Sequence, residues 1–431
     1  MDVRHSGLHS ACLSLIAVYS LIVVVSLAAL ATMDGQGKLF VKTVTAPPCI
    51  YLSDFVNFYT VGTLSRSPER LSAYDPNAQM AQMNEIISPL KLDTPFIAQS
   101  VPWFFALMVP FSLLPLKQAY LLFEALGTAC GLLGLAIVSV QLCRRRLATT
   151  TLILTGALAS VPAFVCWLRG QSSWLILGAA CLYYLCLVRK RNIWAGVFLA
   201  VTSMKPQYTI FLALPALAGR RWKLLASLCL CELLLLAVAA CFIGIDNVVN
   251  YPRTLMAADT NTSYIGILPG IMICLRALFM LFLPAHASMQ LSLLVFVCSL
   301  AALFAMWRKV LRADQPDLRL PMAVTVIASL LASPHTSLYD GLLLALPAVA
   351  LFPSGPCKSS ELTEPSGSTR ALRPLLYLLA LYPLISWVCF LLEEPQATVP
   401  HVAIIVLNIL VLAASLYAFF GRDKEPTVSG T

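Results

Sequence analysis

The sequence predicts an all-α fold, a polytopic transmembrane helical bundle of about 10–12 membrane helices with juxtamembrane helices on its outer face. Three observations predict it. Of 431 residues, 59% are hydrophobic and 11% charged, with a mean hydropathy of +0.83, whereas a soluble chain carries roughly 25% charged residues. The apolar residues form long unbroken blocks, which excludes the alternating pattern of a β-barrel. The basic clusters fall between those blocks on one side.

In chain order, the apolar run at 12–31 exceeds the about 7–15 residues of a signal-peptide core, and reads as an uncleaved first span. Full spans follow near 118–142, 148–168, 172–188, 224–243, 287–306, 320–333, 337–353, 374–392 and 400–419. The block 193–218 is broken in its middle by Lys205-Pro206. Each half is about 11 residues, roughly 16 Å of helix and about half the hydrocarbon thickness. With the N-terminus in the cytoplasm, the basic clusters at 144–146, 189–191, 220–223, 308–312 and 422–424 all fall inside, as the positive-inside rule requires. That orientation demotes the apolar stretches 101–115 and 266–284 to juxtamembrane or re-entrant helices. The chain is then one membrane domain over 1–431, with a first outer loop at 33–117 and a second at 244–286. A Ser-, Pro- and Gly-rich cytoplasmic connector spans 354–373, and a cytoplasmic tail 421–431.

The net charge is +9, but in a membrane protein its sidedness matters more than its sign, and nucleic acid is not an expected partner. The 14 cysteines form no paired CxxC clusters and read as small core residues; a Cys49–Cys274 disulfide is left open, and nothing in the sequence argues for it. The five histidines show no outer-loop metal spacing, so neither a metal nor another cofactor is expected. No P-loop, dinucleotide or nucleophile-elbow motif points to a soluble nucleotide donor.

Three clusters carry candidate chemistry. A helix over 51–65 would place Asp54 and Asn57 on one face, with Phe55, Phe58 and Tyr59 anchoring it at the bilayer surface. An acidic loop residue is ordinarily just solvated, but a carboxylate enclosed by aromatic side chains is a candidate general base. Lys205, in Ser203-Met204-Lys205-Pro206-Gln207-Tyr208, is an ammonium in apolar sequence. It requires either an anionic ligand such as a lipid phosphate or a buried acid such as Glu232. Arg169-Gly170-Gln171 forms an outer turn that could serve the same ligand or anchor headgroups. Ser333-Pro334-His335 through Tyr339-Asp340 opens the next span, where ligand contact and helix capping are both open.

Several segments in order resemble glycosyltransferase family 87. They are Ser53-Asp54-Phe55 through Tyr59; Ala73-Tyr74-Asp75-Pro76; Pro102-Trp103-Phe104 through Pro115 with Ala119-Tyr120; Gly170-Gln171; and Ala195-Gly196 leading to Lys205-Pro206-Gln207. Asn261-Thr262-Ser263 and Ser333-Pro334-His335 with Tyr339-Asp340 follow. The resemblance spans about residues 50–345 and departs at Gln99-Ser100-Val101, before Pro102. It implies a GT-C-like bundle that transfers a hexose, mannose by family habit, from a polyprenyl-phosphate donor to a hydroxyl of a glycan or glycolipid acceptor. The reaction would invert the anomeric centre on the outer face of a bacterial plasma membrane. Asp54 would be the catalytic residue, with Asn57, Tyr59, Arg169, Gln171, Lys205, Gln207, His335, Tyr339 and Asp340 binding substrate. A secondary transporter or lipid flippase is the rival reading, because intramembrane Lys205, Glu232 and Asp340 could equally line a transport pathway.

Overall fold

The computed structural model describes residues 2–36, 54–142, 147–260, 271–351, 367–392 and 401–421. Cys49, Tyr51, Ser53, Asn261-Thr262-Ser263, most of the connector and nearly all of the tail lie outside them. The helices are α1 (Asp2–Gln36), α2 (Asp54–Leu64), α3 (Pro76–Ile86), α4 (Pro102–Met108), α5 (Leu116–Leu142) and α6 (Leu147–Ala159). They continue with α7 (Val161–Arg169), α8 (Ser173–Val188), α9 (Asn192–Val201), α10 (Pro206–Ala218), α11 (Trp222–Ile243) and α12 (Ile245–Thr260). The last are α13 (Leu275–Phe279), α14 (Ala285–Val310), α15 (Arg319–Ala332), α16 (Ala345–Leu351), α17 (Gly367–Leu392) and α18 (Val402–Gly421). Among the described residues no strand forms, only an isolated bridge between Met272 and Ser337.

The chain is an all-α polytopic membrane protein. Among the described residues six helices are long and apolar enough to cross a bilayer: the 11–30 part of α1, α5, α11, α14, the 374–392 part of α17, and α18. α6 and α7 together make a seventh candidate, bent by 50° at Ser160, where Pro162 in the first turn of α7 prevents a continuous helix. Shorter apolar helices fill the interior, α8 and α15 being buried almost all round. Val101–Pro115 and the described 271–284 part of the second stretch contain only short helices.

Two packing features hold the polar residues of the bundle in place. α5 meets α8 through glycine. A Cβ on Gly134 would lie 2.7 Å from the Gly178 carbonyl oxygen, and one on Gly131 would lie 2.7 Å from that of Trp174. Small residues at this spacing let two membrane helices approach backbone to backbone. The second feature is the broken helix. α9 runs into a 3-10 turn over Thr202–Met204, and Lys205 is extended at φ −129°, ψ 90° before Pro206 starts α10. A proline biases its predecessor away from the α region and suits a first helical turn, so the break is written locally.

The aromatic residues of α2 overturn one expectation. Phe55 and Phe58 do not anchor the helix at the bilayer surface; they are buried in the protein core, packed against Phe104, Tyr120 and Phe123. A protein interior and a lipid tail are equally apolar, so hydrophobicity alone does not choose between them. Nearby, Ala73-Tyr74-Asp75-Pro76 works as a structural joint. Asp75 caps α3 by accepting the Asn77 N–H at 2.8 Å, and the Tyr74 hydroxyl donates to the Ser100 carbonyl at 2.7 Å. Burial pushes the Tyr74 phenol well above its ordinary pKa.

Candidate active site

Asp54 is the first residue of α2, where the helix dipole favours a carboxylate. Its Oδ2 accepts a hydrogen bond of 2.6 Å from Nε2 of Gln171. Gln171 is buried in the turn between α7 and α8, and Gly170 sets its place. Gly170 stands at φ 67°, and a Cβ there would lie 2.4 Å from Cβ of Phe55. Only glycine satisfies both the left-handed backbone and the contact with α2. The Gln171 N–H closes the end of α7 onto the Cys166 carbonyl at 3.0 Å. Among the described residues Asp54, half-buried, has no cation within ion-pair distance.

Asp340 is held differently. Its Oδ1 accepts from Nζ of Lys205 at 2.5 Å and from Oγ of Ser173 at 2.8 Å. Oδ2 accepts the Ser337 N–H at 3.1 Å, completing a capping box at the start of the 338–344 turn. Asp340 is 1% exposed. Lys205 therefore meets a buried acid, and that acid is Asp340 rather than Glu232, which instead approaches Ser203. The ammonium also lies 4.3 Å from the centre of the Tyr339 ring, a cation–π distance. Tyr339 joins the two halves: its ring lies under Lys205, while its phenol feels the charges of Asp54 and Arg169.

Asp54, Arg169, Gln171, Lys205, Tyr339 and Asp340 thus come together from four separate stretches of chain. Asn57 lies one turn along α2 from Asp54, buried, with Oδ1 meeting no hydrogen-bond partner. Gln207 and His335 form a second layer: Nε2 of Gln207 donates to the His335 carbonyl at 3.4 Å. The His335 ring points to Arg276, with Nε2 3.2 Å from Nη1. A guanidinium only donates, so His335 Nε2 is the acceptor in that contact. Tyr59 stands apart. It lies about 140° round α2 from Asp54 at 100° per residue, and its hydroxyl donates to the Leu114 carbonyl at 2.8 Å.

Two charged residues at or near this cluster escaped sequence reasoning. Arg276 is 2% exposed on α13 and is brought to His335 because the preceding segment pairs with the 333–337 turn, the Ile273 N–H donating to the Thr336 carbonyl at 2.9 Å. Cys274 beside it is buried, and burial pushes its thiol above the ordinary range. Glu124 is buried in α5, its Oε1 without a hydrogen-bond partner. The buried Cys166 of α7 donates from Sγ to the Gln171 carbonyl at 3.2 Å. Arg276 and Glu124 would both have surfaced from the rule applied to Lys205, that a charge inside an apolar block needs a reason.

The sequence model of glycosyltransferase family 87 matches residues 101–334. The match takes in Arg169, Gln171, Lys205 and Gln207, and leaves Asp54, His335, Tyr339 and Asp340 outside its limits. No curated protein matches the chain.

Proposed function

The chain belongs to glycosyltransferase family 87 and is a membrane glycosyltransferase, and from that premise we propose that it moves a hexose, mannose in the first instance, from a polyprenyl-phosphate donor to an acceptor hydroxyl. The acceptor is a glycan or glycolipid, reached at the non-cytoplasmic face of a bacterial plasma membrane. The observation that carries this reading is Asp54, a half-buried carboxylate oriented by Gln171 and facing a cluster that also holds Arg169 and Lys205.

In this mechanism Asp54 takes the proton of the acceptor hydroxyl as that oxygen bonds to the anomeric carbon. The bond from the anomeric carbon to the phosphate oxygen breaks on the opposite face, and one displacement inverts the centre. The departing phosphate monoester gains negative charge. Arg169, which among the described residues has no carboxylate within ion-pair distance, is the first cation available to it. Lys205 contributes the second, its charge already shared with Asp340. Gln171 orients the base, and Asn57 offers its unpartnered carbonyl oxygen to a sugar or acceptor hydroxyl. The basic clusters at 189–191 and 220–223 lie at the opposite end of the bundle, which supports an outward-facing site by the positive-inside rule.

The test is transfer by purified protein from labelled polyprenyl-phosphate mannose and polyprenyl-phosphate glucose to a panel of glycolipids and glycans, with the anomeric configuration of the product determined. An inverted mannoside made by the wild type and lost in Asp54→Asn is expected. Transfer only from a soluble nucleotide sugar, or retention of configuration, would refute the reading.

A further inference from the structure

The end of the bundle away from Asp54 carries two turns with the same backbone. α8 runs 16 residues from Ser173 beside the site, about 24 Å of helix, most of a hydrocarbon core of about 30 Å. It closes through Arg189-Lys190-Arg191, with the Arg191 N–H donating to the Cys186 carbonyl at 2.8 Å and Lys190 at φ 57°. α10 closes through Gly219-Arg220-Arg221 in the same way, the Arg221 N–H donating to the Ala216 carbonyl at 2.9 Å and Arg220 at φ 51°. The left-handed position of such a helix end is ordinarily glycine. Here both are bases, and in the second turn the glycine stands one residue early at φ −87°, where it is not needed. A long cationic side chain is thus kept at each place where the backbone favours its absence.

The two turns are one surface. Nη1 of Arg221 donates to the Leu187 carbonyl at 2.8 Å, and α9 lies so close to α11 that a Cβ on Gly196 would meet the Leu224 carbonyl at 2.6 Å. Neither turn contains an acid. Arg191, Lys190, Arg220 and Lys223 are exposed, and Trp194 and Trp222, 57% and 67% exposed, flank them. Exposed tryptophan at helix ends marks the headgroup level of a bilayer.

We propose that these paired turns form a binding site for the phosphate of an anionic phospholipid, at the membrane surface opposite the catalytic end. The bases supply charge, the left-handed backbone aims two of them outward from adjacent turns, and the tryptophans set the depth at which a lipid phosphate lies. This does not depend on the sugar or acceptor.

The experiment titrates short-chain phosphatidylglycerol into detergent-solubilised full-length protein and follows the thermal unfolding midpoint, with phosphatidylcholine and inorganic phosphate as parallel titrants. Saturable stabilisation by phosphatidylglycerol alone is expected. Each base near an anionic surface strengthens binding by about fivefold, so Lys190→Gly/Arg220→Gly should raise the half-saturating lipid concentration about thirtyfold without lowering the lipid-free midpoint. Should the glycine pair fold poorly, Lys190→Asn/Arg220→Asn removes the same charges and still tolerates the left-handed backbone. Arg70→Gln/Lys91→Gln removes equal charge from the other end and should leave the titration unchanged. Wild-type lipid affinity in the turn variants, an equal loss in the Arg70/Lys91 control, or equal stabilisation by inorganic phosphate would each overturn the assignment.

Discussion

Two carboxylates enter the polar cluster from different ends of the chain, and their surroundings separate their roles. Asp340 is enclosed, with an ammonium, a hydroxyl and a backbone N–H all directed at it. Asp54 is half-exposed and receives one neutral amide from Gln171. A carboxylate held by three donors is committed to the structure around it, whereas one oriented by a single amide keeps lone pairs free to meet a substrate hydroxyl. The comparison teaches that the proposed base is distinguished by what its neighbours leave unsatisfied. A buried ion pair such as Lys205–Asp340 positions the elements around it at a desolvation cost.

The strongest way to break this distinction is Asp54→Asn. As a general base its loss should lower turnover by about 10²–10⁴-fold, with the protein still accumulating in membranes and unfolding at the wild-type midpoint. Turnover within a few-fold of wild type would return Asp54 to the rank of a loop residue. Asp340→Asn tests the other half. Leaving Lys205 buried without its partner should cost about 3–5 kcal/mol of stability, read as a lowered unfolding midpoint. In Lys205→Met/Asp340→Leu stability should recover while transfer does not, because the cation is gone. Gly170→Ala would strain a left-handed residue by about 1–2 kcal/mol and press a methyl group onto Phe55, so both the midpoint and turnover should fall. Gln171→Ala should reduce turnover about tenfold, the equivalent of a hydrogen bond of roughly 1.5 kcal/mol to a charged group, with a smaller change in stability. Tyr59→Phe sharpens the boundary of the site. Its hydroxyl ties α2 to the Leu114 carbonyl, so about 1 kcal/mol of stability should be lost with turnover intact.

Much of this was legible in the sequence because membrane helices are specified locally. Apolar runs, Pro206 and the charges flanking the blocks placed the long spans and the break at Lys205 without tertiary knowledge, but the bend at Ser160 inside 148–168 went unread. The cost of polar groups in apolar sequence singled out Lys205 and Asp340, while aromatic neighbours, an outer turn and the family resemblance brought in Asp54, Gln171 and Tyr339. None of these signals paired them. Asp54 and Gln171 lie 117 residues apart, and Lys205 and Asp340 lie 135 apart. Glu232 or another buried acid was eligible as the partner of Lys205 until the fold selected Asp340. Phe55 and Phe58 were misread because an aromatic face suits lipid and protein interior alike. Arg276 and Glu124 were passed over inside blocks read only for their hydrophobicity.

By itself, then, the sequence determined that the chain lies in a membrane, where its longest apolar helices run and where the block at Lys205 breaks, and which polar residues needed a reason to be there. These follow from transfer free energies and backbone preferences that act over a few residues. Only the tertiary structure decided which charge is neutralised and which is left available, because that depends on distances across the bundle. Gly170 shows the point: its sequence neighbours announce a turn, but the contact that seats Asp54 against Gln171 exists only once α2 has packed onto it.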